Sequence, residues 1–413
     1  MRPGGLLTAR PPTDSSALAR AGLVLLCALV SVLTACSSPG PARGLGAANP
    51  SAAPAGSTAP PSSLASVAIS PAARSTVRPD AAVQVKATLG MLTSVVVRAK
   101  SGGEPLAGTL SADGMSWTAA PGLLRLSTSY VVDAKAVDSR GVSRTVTSSF
   151  ATLKPKAVLR TVVTPGGGSL VGAGMPIMVS FTSAVTDRAA VEARLRVTMP
   201  QPVDGAWHWF SSKVVHFRPK SFWPAGEKVT VELNLAGVDA GGGVWGDRDR
   251  TFAFEIGDAL VSTVDVTNHT MTVTRNGKVL RVIPITTGKA GFLTRGGTKV
   301  IMTKERFRVM DSTTVDIPVD SPDAYRLNVE YALRLTYSGE FVHAAPWSVA
   351  HQGKENVSHG CTGMSQANAA WFYSISRVGD VVKYVHSQRS LELGNGYTDW
   401  NLRWSAWQAG SAL

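Results

Sequence analysis

The chain has 413 residues, 44% of them hydrophobic and 17% charged, with a formal net charge of +13 and three cysteines. That apolar content fills several ordinary cores and excludes a wholly disordered chain, and three cysteines are too few for a disulfide scaffold. The Lys and Arg residues form no run of the nucleic-acid-binding kind, so nucleic acid is not an expected partner; a basic surface outside the cell would meet anionic headgroups or wall carboxylates and phosphates.

At the N-terminus, Arg2, Arg10 and Arg20 precede an uncharged stretch, residues 21–35, too short for a membrane span and right for the apolar core of a signal peptide. It ends in Leu33-Thr34-Ala35-Cys36, which resembles a bacterial lipobox. Residues 1–35 are then a signal peptide and Cys36 is the lipid attachment site, which anchors the protein to the extracytoplasmic face of the cell membrane, toward the periplasm and cell wall. An ordinary signal or an uncleaved anchor would export the domains equally. Residues 36–63 are rich in Pro, Ala, Gly and Ser and lack the apolar content to fold. They read as a tether reaching on the order of 30 Å as a flexible coil.

Two β-rich blocks follow, residues 64–155 and 156–257. Each has a Trp followed by Pro (Trp117 and Pro121, Trp223 and Pro224), and the pair Val137-Asp138 recurs as Val238-Asp239. In the second block Val229, Val231, Leu233 and Leu235 alternate with Thr230, Glu232 and Asn234, the period of a half-buried strand. Short alternating strands with Gly/Pro turns in two blocks of this length predict two immunoglobulin-like sandwiches without a core disulfide. The cluster Trp207-His208-Trp209 and His216 lie in strand-like sequence and are expected to pack in a core.

Residues 258–388 read as a third domain. Asn276-Gly277 predicts a hairpin turn, and residues 365–377 predict a helix with Ser365 as N-cap and Gly379 just past its end. In the tail, residues 389–413, Trp400, Trp404 and Trp407 form an i, i+4, i+7 stripe expected on one short helix capped by Asp399, docked on the third domain and the second sandwich rather than on a membrane.

After removal of the signal, Cys361 has no cysteine partner in the folded part, and a lone thiol outside the cytoplasm calls for a reason. His343, His351 and His359 precede it at intervals of eight, which matches neither the short paired spacing of a zinc site nor an i, i+4 helical pair, so no metal is expected. A structural cysteine wants apolar neighbours, whereas Ser358, His359, Gly360, Thr362 and Gly363 are loop-like. A nucleophile wants a base and oxyanion donors; a strand-end His, glycine-flanked backbone N–H groups and a nearby helix start, which would favour thiolate, supply them.

Ser358-His359-Gly360-Cys361 with His343 sixteen residues before His359 resembles the motif of the L,D-transpeptidase family, with its YkuD-type catalytic domain. The segments MDSTTVDIPVDSPDAYR (residues 310–326) and HAAPWSV (residues 343–349) are similar to the family's lid and to its base segment. The whole order resembles the multi-domain actinobacterial and mycobacterial lipoprotein members. The resemblance implies a mainly β protein: two immunoglobulin-like sandwiches, a YkuD-type β-rich catalytic domain with a short helix, and a Trp-containing tail.

The resemblance further implies that Cys361 is the nucleophile and His343 its base, oriented by the Ala344 carbonyl. Tyr325 and the N–H groups of Gly360 and Cys361 would bind the oxyanion, His359 would stand with the catalytic residues and support the loop, and Ser358 would belong to the oxyanion- and substrate-binding set. Ser338, Gly339, Met310, Trp347 and Gly363 would stand at lid or substrate-contacting positions. Two departures appear, Gly363 where relatives usually have Asn and Val315 where a lid Tyr is common. The implied activity is cysteine-dependent 3-3 crosslinking of peptidoglycan stem peptides, a donor tetrapeptide and an acceptor stem, with release of D-Ala and without a cofactor. Carbapenem β-lactams would be covalent inhibitors. Hydrolysis of the same acyl-enzyme, an L,D-carboxypeptidase, and a catalytically impaired wall-binding lipoprotein are the alternatives.

Overall fold

The computed structural model describes residues 61–122 and 124–413. The signal peptide, Cys36 and all but the last three residues of the tether lie outside the described residues. Among the described residues no helix is long and apolar enough to cross a membrane.

The first block folds as two four-stranded sheets facing each other. One holds Ser66–Ser70, Gln84–Thr88, Ser116–Ala119 and Gly108–Leu110 in that order; the other holds Thr76–Val77, Ser143–Thr152, Ser129–Val137 and Met91–Ala99. Alternation closes the core: Tyr130, Val132, Ala134 and Ala136 of one strand are buried, and Tyr130 stacks on Phe150 with ring centres 5.3 Å apart. The second block repeats this with Thr161–Thr164, Ile177–Phe181, Val214–Pro219 and Gly205–Ser211 in one sheet, and Leu170–Val171, Asp249–Ile256, Lys228–Asn234 and Leu195–Thr198 in the other. Val229, Val231 and Leu233 point inward, and Trp223 fills the centre with its Nε1–H on the Met175 carbonyl at 2.6 Å.

The third domain packs a six-stranded sheet, ordered Lys278–Pro284, Thr270–Arg275, Leu260–Asp265, Val381–Val385, Arg295–Val300, Arg389–Ser390, with a four-stranded sheet ordered Thr303–Asp311, Arg326–Arg334, Phe341–Ala344, Thr362–Met364. Asn276 and Gly277 both have positive φ, +48° and +79°, as a two-residue hairpin turn requires. The helix Gln366–Ile375 starts at Ser365, whose side chain accepts from Asn368 N–H, and Ala369 and Phe372 bury against the domain core.

The tail differs from the single Trp-striped helix its spacing predicts. It forms a short 3₁₀ turn, Asp399–Asn401, then an extended Leu402 and a helix, Trp404–Gln408. The cause is Arg218 of the second sandwich, buried and donating to the Asp399 and Leu402 carbonyls at 3.2 and 2.8 Å, which holds those carbonyls out of a continuous helix. Its guanidinium lies 5.0, 5.2 and 4.6 Å from the Trp400, Trp404 and Trp407 rings. Asp399 is not an N-cap; it takes His216 Nδ1 at 2.8 Å, and His208 Nδ1 meets the Trp407 carbonyl at 2.9 Å. Trp207 and Trp209 therefore enter the sandwich core as expected, whereas His208 and His216 serve the tail instead. Asn401 bonds the backbone N–H and carbonyl of Thr298 at 2.8 and 2.7 Å, so the tail touches both the second sandwich and the third domain.

Candidate active site

Cys361 stands immediately before the buried strand Thr362–Met364, which runs parallel to the buried strand Phe341–Ala344 with His343 opposite Gly363. Two segments eighteen residues apart in sequence thus deliver thiol and imidazole to one end of the same sheet. Ser358 holds the turn before the cysteine: its hydroxyl donates to the Cys361 carbonyl at 2.6 Å and accepts from Gly360 N–H at 3.1 Å. Gly360 has φ +124°, a conformation that favours glycine. Backbone bonds of Ser358 to Thr287 and Lys289, at 3.0 and 2.9 Å, anchor the turn to the loop after the first hairpin.

The thiol opens into a cavity of about 250 Å³. Eight residues singled out from sequence line it: Met310, Tyr325, His343, Trp347, Ser358, His359, Cys361 and Gly363. His351, weighed from sequence only as a metal ligand, also lines it; sequence reasoning singled out neither Ala345 and Ser348, which lie in the segment 343–349, nor Thr286, Leu327, Val329 and Val357, which carry no signal in the sequence. Gly360 is buried beneath the cavity, and its N–H is already given to Ser358 Oγ rather than left for an oxyanion. Ser338 does not line the wall. Asn395 of the tail accepts from its N–H at 2.9 Å and donates to its hydroxyl at 2.8 Å, so the tail occupies the side chain that was expected to meet substrate. Gly339 contributes its carbonyl, 3.6 Å from Cys361 Sγ.

His343 is buried, and its Nδ1 stands 2.8 Å from the Ala344 carbonyl. A carbonyl can only accept, so Nδ1 carries the proton and Nε2 is left with a lone pair. Burial holds the imidazole below its usual range, and the Ala344 contact partly opposes this. Cys361 is half-buried and packs against Met310, Val329, Ala332 and Phe341. Burial pushes its thiol up to about 12, the Phe341 N–H pulls it back, Glu340 raises it further and Lys299 lowers it. This corrects two expectations. The loop-like neighbours in sequence do not leave the thiol fully exposed, because distant residues half-cover it, and the helix that starts beyond Thr362–Met364 does not make it a thiolate.

Burial likewise raises Tyr325 to about 12, which keeps the phenol protonated as a donor. His359 lies beside it with ring centres 5.0 Å apart and reaches Asp323 Oδ1 at 3.4 Å; Lys289 Nζ holds the same oxygen at 2.6 Å. Asp323 and Tyr325 belong to the segment 310–326, whose strand ends are closed by Ser312 N–H on the Tyr325 carbonyl and Arg326 on Asp311. The segment is thereby fastened to the cysteine turn. Among the described residues no group of His, Cys, Asp and Glu is arranged to hold a metal ion.

Comparison with known proteins adds the following. Residues 260–383 match the L,D-transpeptidase catalytic domain (YkuD), and residues 74–239, spanning both sandwiches, match a bacterial Ig domain. The chain is 38% identical over 334 residues to L,D-transpeptidase 2 of Mycobacterium tuberculosis (strain CDC 1551 / Oshkosh), covering 81% of each protein. It is 43% identical over 223 residues to L,D-transpeptidase 1 of Mycobacterium tuberculosis (strain ATCC 25618 / H37Rv), 54% of this chain and 83% of that protein. Among solved structures, L,D-transpeptidase LdtMt1 in complex with imipenem is 42% identical and covers 56% of this chain and 100% of that one, with a TM-score of 0.49.

Proposed function

Because the chain belongs to the L,D-transpeptidase family, we propose that it forms 3-3 peptidoglycan crosslinks through a thioester on Cys361. The observation that carries this reading is the pair in the cavity: a thiol, and an imidazole whose tautomer is set by the Ala344 carbonyl so that Nε2 accepts a proton. With the thiol raised and the imidazole lowered, both are neutral at rest, so proton transfer accompanies attack instead of preceding it.

Sγ bonds to the carbonyl carbon of the third residue of a donor tetrapeptide while its proton passes to His343 Nε2. The oxyanion takes hydrogen bonds from the Tyr325 hydroxyl and the Cys361 N–H; Gly360 contributes through the turn it shapes, its own N–H being engaged by Ser358. Collapse breaks the bond to D-Ala, and His343 returns the proton to the departing amine. The side-chain amine of an acceptor stem then attacks the thioester, gives a proton to His343 and regenerates the thiol. The apolar wall of Met310, Leu327 and Val329 limits water at the thioester, which favours an amine over hydrolysis. A carbapenem ring carbonyl offers the thiol the same electrophile, and we assign it as a covalent inhibitor. The lipobox supports lipidation of Cys36, so that the tether carries these domains on the outer face of the membrane, within reach of the wall.

The test is incubation of the protein and of Cys361→Ala with a disaccharide-tetrapeptide, followed by mass spectrometry. A crosslinked dimer lacking one D-Ala, absent in the variant, is the expected product. Tripeptide alone would replace this reading with a carboxypeptidase, and unchanged substrate would remove it.

A further inference from the structure

Beneath the cysteine turn lies a buried charged cluster that no step above uses. Lys299 has no exposed surface; its Nζ sits 2.5 Å from Glu340 Oε2 and 3.7 Å from the centre of the Tyr384 ring. The other carboxylate oxygen accepts from the Arg295 backbone N–H at 2.9 Å and from Arg295 Nη1 at 3.3 Å. Removing such charges from water is costly, and well-packed apolar residues in their place are often as stable or more so. Stability alone therefore does not account for the cluster.

Its position does. Glu340 lies between the two residues whose backbones border the thiol, Gly339 with its carbonyl 3.6 Å from Sγ and Phe341 with its N–H on the sulfur. Its own N–H donates to Thr336 Oγ1 at 2.9 Å and its carbonyl accepts from Leu335 N–H at 2.9 Å. Its side chain runs under Gly360, where a Cβ would stand 3.8 Å from Glu340 Cγ and Oε1. Every polar atom of Glu340 is bonded, and the residue fastens the shell of the thiol to the strand Arg295–Val300.

Resting on the reading of Cys361 as nucleophile, we propose that Glu340 and Lys299 are a positioning pair: the carboxylate fixes the 339–341 backbone against the thiol, and the two opposed charges balance the field in which the thiol gives up its proton. Neither group touches the reacting carbonyl. The carboxylate disfavours thiolate and the ammonium favours it. The other titratable groups around the sulfur are His343, His359 and Tyr325 on the cavity wall and Tyr384 and Arg295 below, and none of them is substituted in the variants that follow.

The experiment compares the full chain with Glu340→Gln, Lys299→Met and the double variant. It follows iodoacetamide alkylation of the Cys361 peptide at fixed mildly alkaline pH, acylation by a tetrapeptide stem, and the melting temperature. Alkylation is expected to slow down in Lys299→Met by up to about tenfold, one pH unit of thiol ionisation, and to speed up by less in Glu340→Gln, where the orphaned buried Lys299 sheds its proton and stops favouring thiolate. The double variant, with no unpaired buried charge between those two positions, should regain the wild-type melting temperature yet acylate on the order of tenfold or more slowly, because the carboxylate link from 339–341 to the strand Arg295–Val300 is lost. Alkylation that moves the same way in both single variants, or in neither, overturns the proposal. So does a double variant that regains acylation together with its melting temperature, since that behaviour belongs to a purely structural ion pair. Alkylation needs no peptidoglycan, so these outcomes stay distinct from failure of the crosslinking reading, which would show as absent acylation in the wild type.

Discussion

The protonation state of Cys361 is the most exposed point of the mechanism, and raising the pH of an alkylation assay probes it directly. With the thiol at about 12, about three molecules in 100,000 are ionised at pH 7.5, against about one in ten for an unperturbed cysteine near 8.5. That is a loss of roughly three and a half orders of magnitude in thiolate. The more basic thiolate is also the better nucleophile, and a Brønsted slope near 0.45 restores about one and a half of them. Iodoacetamide should therefore label Cys361 about a hundredfold more slowly than a model cysteine peptide. The logarithm of the rate should climb with unit slope from about pH 6 to about pH 9 without a plateau. Labelling is followed on the Cys361 peptide by mass spectrometry, which separates it from Cys27 and Cys36. The slope is independent of how easily the reagent enters the cavity. A plateau at or below pH 8 would mean a preformed thiolate–imidazolium pair, and the account of a neutral resting site would be wrong.

Burial depresses His343, so its neutral, proton-accepting form persists further into acid than an ordinary histidine's. The acid limb of kcat/KM for tetrapeptide should accordingly fall below about pH 6.5, and His343→Ala should abolish acylation; a limb at or above that value would contradict the burial argument. Trp407 is wholly buried, stacks on His208 with ring centres 4.7 Å apart and donates to the Ala206 carbonyl at 2.9 Å. Trp407→Ala should cost about 3–5 kcal/mol in denaturant unfolding of the second sandwich and tail, and an unchanged midpoint would show that the tail is not docked there. Asp380 is buried with one carboxylate oxygen unbonded, and burial raises it to about 7. A raised carboxyl leaves stability intact below its unfolded value and removes it as pH rises through the folded one, up to about 4 kcal/mol here. Asp380→Asn should thus raise the melting temperature at pH 8 and leave it nearly unchanged at pH 4, and equal gains at both would break the linkage.

Local signals carried the fold far. The alternation of Val229, Val231 and Leu233, the Asn276-Gly277 turn and the Ser365 cap each depend on neighbours within a few residues, and each appears where its chemistry places it. The candidate site was legible where it is contiguous, in Ser358 to Cys361, and where one spacing joins two strands, in His343. What joins remote strands was not legible. Lys299 meets Glu340 across 41 residues, Ser338 meets Asn395 across 57, and His216 meets Asp399 across 183, and no periodicity marks any of them. The covering of Cys361 belongs to the same class. Its polar neighbours in sequence suggest exposure, while Met310, Val329 and Phe341 come over it from other strands.

The two departures from the family's usual pattern bear on whether this site is in working order. A Cβ at Gly363 would stand 2.9 Å from Ala345 Cβ and 3.1 Å from Thr286 Cγ2, and Gly363 exchanges two 2.9 Å backbone bonds with Thr286. A larger residue there would require the base segment or the Thr286 loop to shift. Val315 presses the lid onto Gly339, with Cγ1 2.8 Å from where a Cβ would be, and Gly339 is the residue whose carbonyl meets the thiol. Both glycines are thus closely surrounded, and a side chain at either would displace its neighbours. The tautomer of His343, the phenol of Tyr325 and the shell of Cys361 are all intact beside them. Gly363 therefore shapes the wall of the cavity, while Val315 bears on the residue whose carbonyl meets the thiol.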